Sequence, residues 1–148
     1  MARHAAGVAA FVLALCFVLP LSTCTRYVDE RGEAFELAPG ETPPEGVTEI
    51  VDHQIAAEQL RTNPLGGFLM LAAFLGPLVA VLYARFGRSE RTKRVLFWLQ
   101  PLFLLLAAHA VWVIGRLGEP ALGAWLAGAA LAVLAAAWLA ALARPAPS

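Results

Sequence analysis

Few residues in this chain combine a type and a spacing suited to chemistry. The richest cluster is Glu49, Asp52, His53 and Glu58, three carboxylates and one imidazole on a short stretch. Val47, Val51 and Ile55 recur at i, i+4, which predicts a helix over Thr48–Arg61. Glu49 and His53 would then share a helical face and could address a common cation. Metal sites, however, are built from several convergent ligands, and neither a second imidazole nor a thiol cluster accompanies the pair. The stretch reads as a solvated acidic face, and no metal is assigned. Cys16 and Cys24 lack the C-x-x-C spacing of a thiol oxidoreductase. The three histidines, His4, His53 and His109, are too scattered to pair on a haem. No glycine-rich phosphate loop and no zinc spacing occurs. The sequence therefore assigns no catalytic residue, no cofactor and no enzyme activity.

What must position such residues is set by composition. The chain has 148 residues, 59% of them apolar and only 15% charged, with a mean hydropathy of +0.67. Soluble domains carry about 25% charged residues. The charges are also unevenly spread. Nine acids and three basic residues fall between Thr23 and Pro64, and four long runs have no Asp, Glu, Lys or Arg. That pattern excludes a soluble globular domain, a disordered tail and a nucleic-acid binder with a basic face.

The four runs are Ala5–Ser22, Leu65–Ala84, Val95–Gly115 and Ala121–Ala143. Each approaches or exceeds the roughly 20 apolar residues that a helix needs to cross a hydrocarbon core. Lipid cannot satisfy backbone polar groups, so the runs should be helices. The expected fold is an all-α integral membrane protein with four transmembrane helices. The first lies within 1–22, and the others occupy 65–84, 95–115 and 121–143. The segment 23–64 is acidic, 85–94 is a basic loop, 116–120 is a tight turn and 144–148 is a tail.

Basic loops stay on the cytoplasmic side. The connection RFGRSERTKR (Arg85–Arg94) has five basic residues and one acid, so it should face in and the acidic segment should be extracytoplasmic. The topology is then N-in/C-in. Tyr83 and Trp98 beside the inner loop, Trp112 and Trp125 beside RLGEP, and Trp138 fit aromatic belts at both interfaces. Within the acidic segment, Tyr27–Asp29 and Ala34–Leu37 should form a short hairpin with Gly32 at its turn. Ala38–Gly46, rich in proline and glycine, should be a loop.

Met1–Cys24 also resembles a secretory signal. Its end, Leu21-Ser22-Thr23-Cys24, is close to a bacterial lipobox, although Thr23 is bulkier than the usual residue before the cysteine. Lipid attachment at Cys24 would leave three spans. An uncleaved first helix ending at Pro20 is the preferred alternative, and a bacterial inner membrane is the expected location.

Polar side chains inside spans are costly and so informative. Gln100 and His109 are the two that stand out, nine residues apart and on opposite faces of an unkinked helix. Pro101 deprives the carbonyl of Phe97 of its helical donor, and the Gln100 amide is placed to compensate. Small residues recur every four positions at Ala72, Gly76 and Ala80 in the second span and around Gly128 in the fourth, a pattern that permits close helix packing. These features point to a non-catalytic accessory or assembly subunit of a membrane complex. Its partners would be the lipid bilayer and other membrane subunits or copies of itself, with no nucleic acid. The alternative function is a small oligomeric transporter or channel using His109 and Gln100.

Overall fold

The computed structural model describes residues 2–29, 31–35, 46–116 and 118–143. Residues 36–45, which include most of the expected loop, and the 144–148 tail lie outside them. The chain runs through α1 (Ala2–Leu15), β1 (Pro20–Val28), β2 (Ala34–Phe35), β3 (Thr48–Ile55), a 3-10 turn (Ala56–Glu58) and α2 (Gln59–Thr62). Then come α3 (Pro64–Phe86), α4 (Glu90–Gly115), β4 (Glu119–Pro120) and α5 (Leu122–Leu142). The fold is mostly helical. α3, α4 and α5 are each long and apolar enough to cross a membrane.

Local sequence sets the ends of these helices. Pro64 occupies the first turn of α3, where its missing N–H costs nothing, and the Asn63 side chain accepts from the Gly66 amide at 3.2 Å. Ser89 caps α4 by accepting from the Thr92 amide at 3.3 Å, with Glu90 in the first turn. α3 runs unbroken through Pro77 and α4 through Pro101.

Four helices form a closed ring: α1 packs on α3 and α5, α3 on α4, and α4 on α5. The interfaces are built largely of alanine, with Ala10, Ala107 and Ala127 fully buried. Leu13, Phe74 and Leu134 fill the spaces between them. Phe17 and Phe74 pack with their rings 6.1 Å apart. Small side chains allow the backbones to approach, and dispersion contacts then hold the helices together in the absence of a hydrophobic drive between them.

The first uncharged run departs from expectation. α1 ends at Leu15, so it has 14 residues and a length of roughly 21 Å at 1.5 Å per residue. Cys16–Leu19 form turns, and Pro20, Leu21 and Ser22 already belong to β1. Pro20 explains the break: it would clash with the carbonyl of Cys16, and it biases Leu19 away from helical angles.

The segment after it also corrects the sequence expectation. Thr48–Ile55 is not helical but a strand. It pairs antiparallel with β1 from Val28↔Thr48 to Pro20↔Ile55. The expected hairpin is present between β1 and β2 as far as Phe35, with Tyr27 opposite Phe35 and Val28 opposite Ala34; the rest of its second arm, 36–37, lies outside the described residues. Gly32 turns it at φ 81°, and Asp29 accepts from the amides of Arg31 and Glu33 at 2.9 and 2.8 Å. β4 joins β1 at Ser22 and Thr23. β1 thus carries β3 along one edge and both β4 and β2 along the other. A small sheet therefore supplements the all-α expectation, and it sits at the end of the bundle opposite the 85–94 connection.

The sheet locks the helices in place. The Ala57 amide donates to the Phe17 carbonyl and the Ala121 amide to the Leu21 carbonyl, both at 3.0 Å. At Gly123 a Cβ would run into the carbonyl oxygen of Pro20, so only glycine lets α5 start against β1.

Candidate functional site

The best-defined constellation outside the core lies on the outward face of α4. His109, Trp112 and Arg116 fall at i, i+3 and i+7, successive positions on one side of a helix. The His109 and Trp112 rings are stacked at 6.1 Å with an interplanar angle of 29°. The Arg116 guanidinium sits 4.3 Å from the Trp112 ring centroid, within cation–π range. His109 and Arg116 are exposed, as is Trp112, and Leu105 and Leu102 extend the same surface. An imidazole on such a face can donate and accept hydrogen bonds, but no described acid or second imidazole joins it.

Gln100 is half-buried and lies elsewhere on α4. The structure does not bring it together with His109. The carbonyl of Phe97, freed by Pro101, is served by another residue: the Trp138 indole N–H on α5 donates to it at 3.1 Å. This corrects the role expected of the Gln100 amide. Nothing in the sequence pattern pairs positions 97 and 138.

In the second span, Gly76 lies where a Cβ would come within 2.7 Å of the Phe103 ring on α4, so it sets a close approach. Ala80 is buried, whereas Ala72 is exposed. Gly128 is exposed and its Cβ would meet nothing within 4 Å. Burial on α5 falls instead on Gly123, Ala127, Ala130 and Leu134.

The acidic cluster is dispersed by the strand. Glu49 and His53 are four residues apart in β3, about 13 Å at the rise of an extended chain. Asp52 forms an ion pair with Arg26 across the sheet at 3.1 Å. Glu58 has moved into the 3-10 turn. Among the described residues no group of three or more His, Cys, Asp or Glu side chains is placed to hold a metal ion. Cys24 is exposed in the middle of β1, opposite Asp52, and Cys16 is buried; both are free.

The fold and its three apolar helices define the class: a helical membrane protein. Compared with family models, with curated proteins and with solved structures, the chain matches none.

Proposed function

We propose that this chain is a non-catalytic accessory or assembly subunit of a larger complex in the bacterial inner membrane. It spans the bilayer four times, three times by a long helix and once by the shorter α1 together with the turns at 16–19, with both termini and the basic 85–94 connection on the cytoplasmic side and the sheet outside. Three long helices and the five basic residues of that connection support this topology. The place of α1 in the ring of helices supports its retention as the fourth span. A cut before Cys24 would remove buried Ala10, Leu13, Phe17 and Leu21 and the first part of the central strand.

The observation that carries the accessory role is the outward position of His109. Ionisable side chains within spans almost always face the bundle interior or a water-filled cavity and pair with other polar groups, because hydrocarbon leaves their polar atoms unsatisfied. A neighbouring subunit seated on the Leu105–Arg116 face of α4 would supply the missing hydrogen bond. Trp112 and Arg116 provide the aromatic and cationic side chains that dominate such contacts. Purification in mild detergent followed by mass spectrometry tests this. Stable foreign subunits should accompany the wild type and be depleted with His109→Leu.

The same exposure would place His109 on the seam of a homo-oligomer, which is the observation that favours the transport alternative. In that case the chain would purify with copies of itself alone. Reconstituted vesicles would then show a pH-dependent flux that His109→Gln abolishes, since the amide cannot titrate.

A further inference from the structure

At the end of the bundle that bears the 85–94 connection, the start of α1 fails to fill its place against the end of α3. After its first residues, α1 (Ala2–Leu15) carries the small side chains Ala5, Ala6 and Gly7, and a Cβ on Gly7 would meet nothing within 4 Å. Across from them α3 presents Leu78, Val81 and Leu82. Between the two helices lies a groove of about 720 Å³, apolar along its length and bordered at its mouth by His4 and Arg85. Arg85 is exposed, and its guanidinium lies 5.6 Å from the Phe86 ring centroid.

From this groove we infer a binding site for an anionic phospholipid, with the headgroup phosphate on Arg85 and His4 and an acyl chain along Gly7, Leu78 and Leu82. The inference rests on the membrane class of the fold and on the proposed cytoplasmic side of the 85–94 connection, and is independent of the accessory role.

Three observations select this occupant. The walls are apolar, so water gains no hydrogen bonds there, whereas an acyl chain gains dispersion contacts along both helices. The lined part of α3 spans residues 78–86, about 12 Å at 1.5 Å per residue. A protein helix of 10–12 Å diameter would find only about two turns to pack on, whereas an acyl chain adapts to a short irregular slot. The mouth carries the Arg85 cation, and among the described residues no acid is paired with it. Glu90, the one acid of the connection, is held by Lys93 at 2.8 Å. Basic pockets between helices at the cytoplasmic interface suit anionic headgroups.

The test is native mass spectrometry of the full chain released from detergent containing phosphatidylglycerol or phosphatidylcholine. Wild type should retain phosphatidylglycerol in preference to phosphatidylcholine. Arg85→Gln should lower that preference about five-fold, the equivalent of ~1 kcal/mol for one basic residue near the surface. Gly7→Leu should fill the groove and reduce retention of both lipids, with helicity unchanged by circular dichroism. Arg26→Gln, on the sheet at the opposite end and paired with Asp52, should leave retention as in wild type. Equal retention of the two lipids by wild type, or an unchanged preference in Arg85→Gln, would overturn the proposal. Glycerol phosphate carries the headgroup chemistry without chains and should not displace the lipid; displacement by it would overturn the acyl-chain part of the site.

Discussion

Pro101 and Trp138 should be energetically coupled, although 37 residues separate them. Pro101 has no N–H, so in α4 the Phe97 carbonyl four residues earlier lacks its helical donor. Trp138 of α5 fills that vacancy with a hydrogen bond of 3.1 Å, its ring 6.1 Å from that of Phe97. Trp138→Phe removes the donor and keeps an aromatic ring. An orphaned buried carbonyl costs about 1–3 kcal/mol in soluble proteins, but interhelical hydrogen bonds in membranes average only ~0.6 kcal/mol and reach ~1.7. The site is partly buried, so a loss of about 1 kcal/mol is expected. Pro101→Ala returns the missing N–H to α4, and the carbonyl then no longer depends on α5. In that background Trp138→Phe should cost roughly 0.5–1 kcal/mol less, the residue being lost packing. The assay is a double-mutant cycle measured by unfolding in mixed micelles with rising dodecyl sulfate, followed by circular dichroism. Costs that add within about 0.3 kcal/mol, the ordinary limit for independent sites, would refute the assignment of this carbonyl to Trp138.

Further outcomes follow from the same packing. Gly128→Ala should be neutral or stabilise by up to ~1 kcal/mol through helix propensity. Gly123→Ala should be worse by about 1–3 kcal/mol, because its Cβ meets the Pro20 backbone; equal melting temperatures for the two would show that β1 does not lie against α5. Ser22 is fully buried and its Oγ has no partner among the described residues, so Ser22→Ala should raise stability by about 1 kcal/mol in thermal unfolding. In a Cys24→Ser background, Glu49→Cys should react with an impermeant thiol reagent in intact cells and Ser89→Cys should not; labelling of both would exclude the proposed topology. Intact-mass measurement of the membrane-extracted wild type should give an unmodified chain that keeps residues 1–23. An acylated chain starting at Cys24, of 148 − 23 = 125 residues, would overturn retention of α1.

The long spans were legible because lipid acts on composition. Every residue of a crossing helix must be tolerable to hydrocarbon, and this leaves uncharged runs that no other environment would select. The caps Asn63 and Ser89 are local too, each acting within three residues of its own position. The outer segment misled at Thr48–Ile55, because a spacing of four is also a multiple of two. Val51 and Ile55 therefore share a face in a strand as well as in a helix. The β-branched content of Thr48, Ile50, Val51 and Ile55 was the competing signal. What decided between the two was β1, which offers β3 a partner along eight residue pairs.

By itself, the sequence determined the class of the protein, its three longest apolar helices, the turn at Gly32 and the position of the basic connection, since each follows from neighbours in the chain. Tertiary structure alone decided that the polypeptide leaving α1 past Pro20 becomes the central strand of a sheet. It also decided that Trp138 completes the bond broken by Pro101, that His109 turns outward, and that a groove opens beside Gly7. Each of these depends on which helix lies next to which. That adjacency is fixed by complementary shapes summed over the whole ring of helices, and such shapes leave no periodic mark on any one segment.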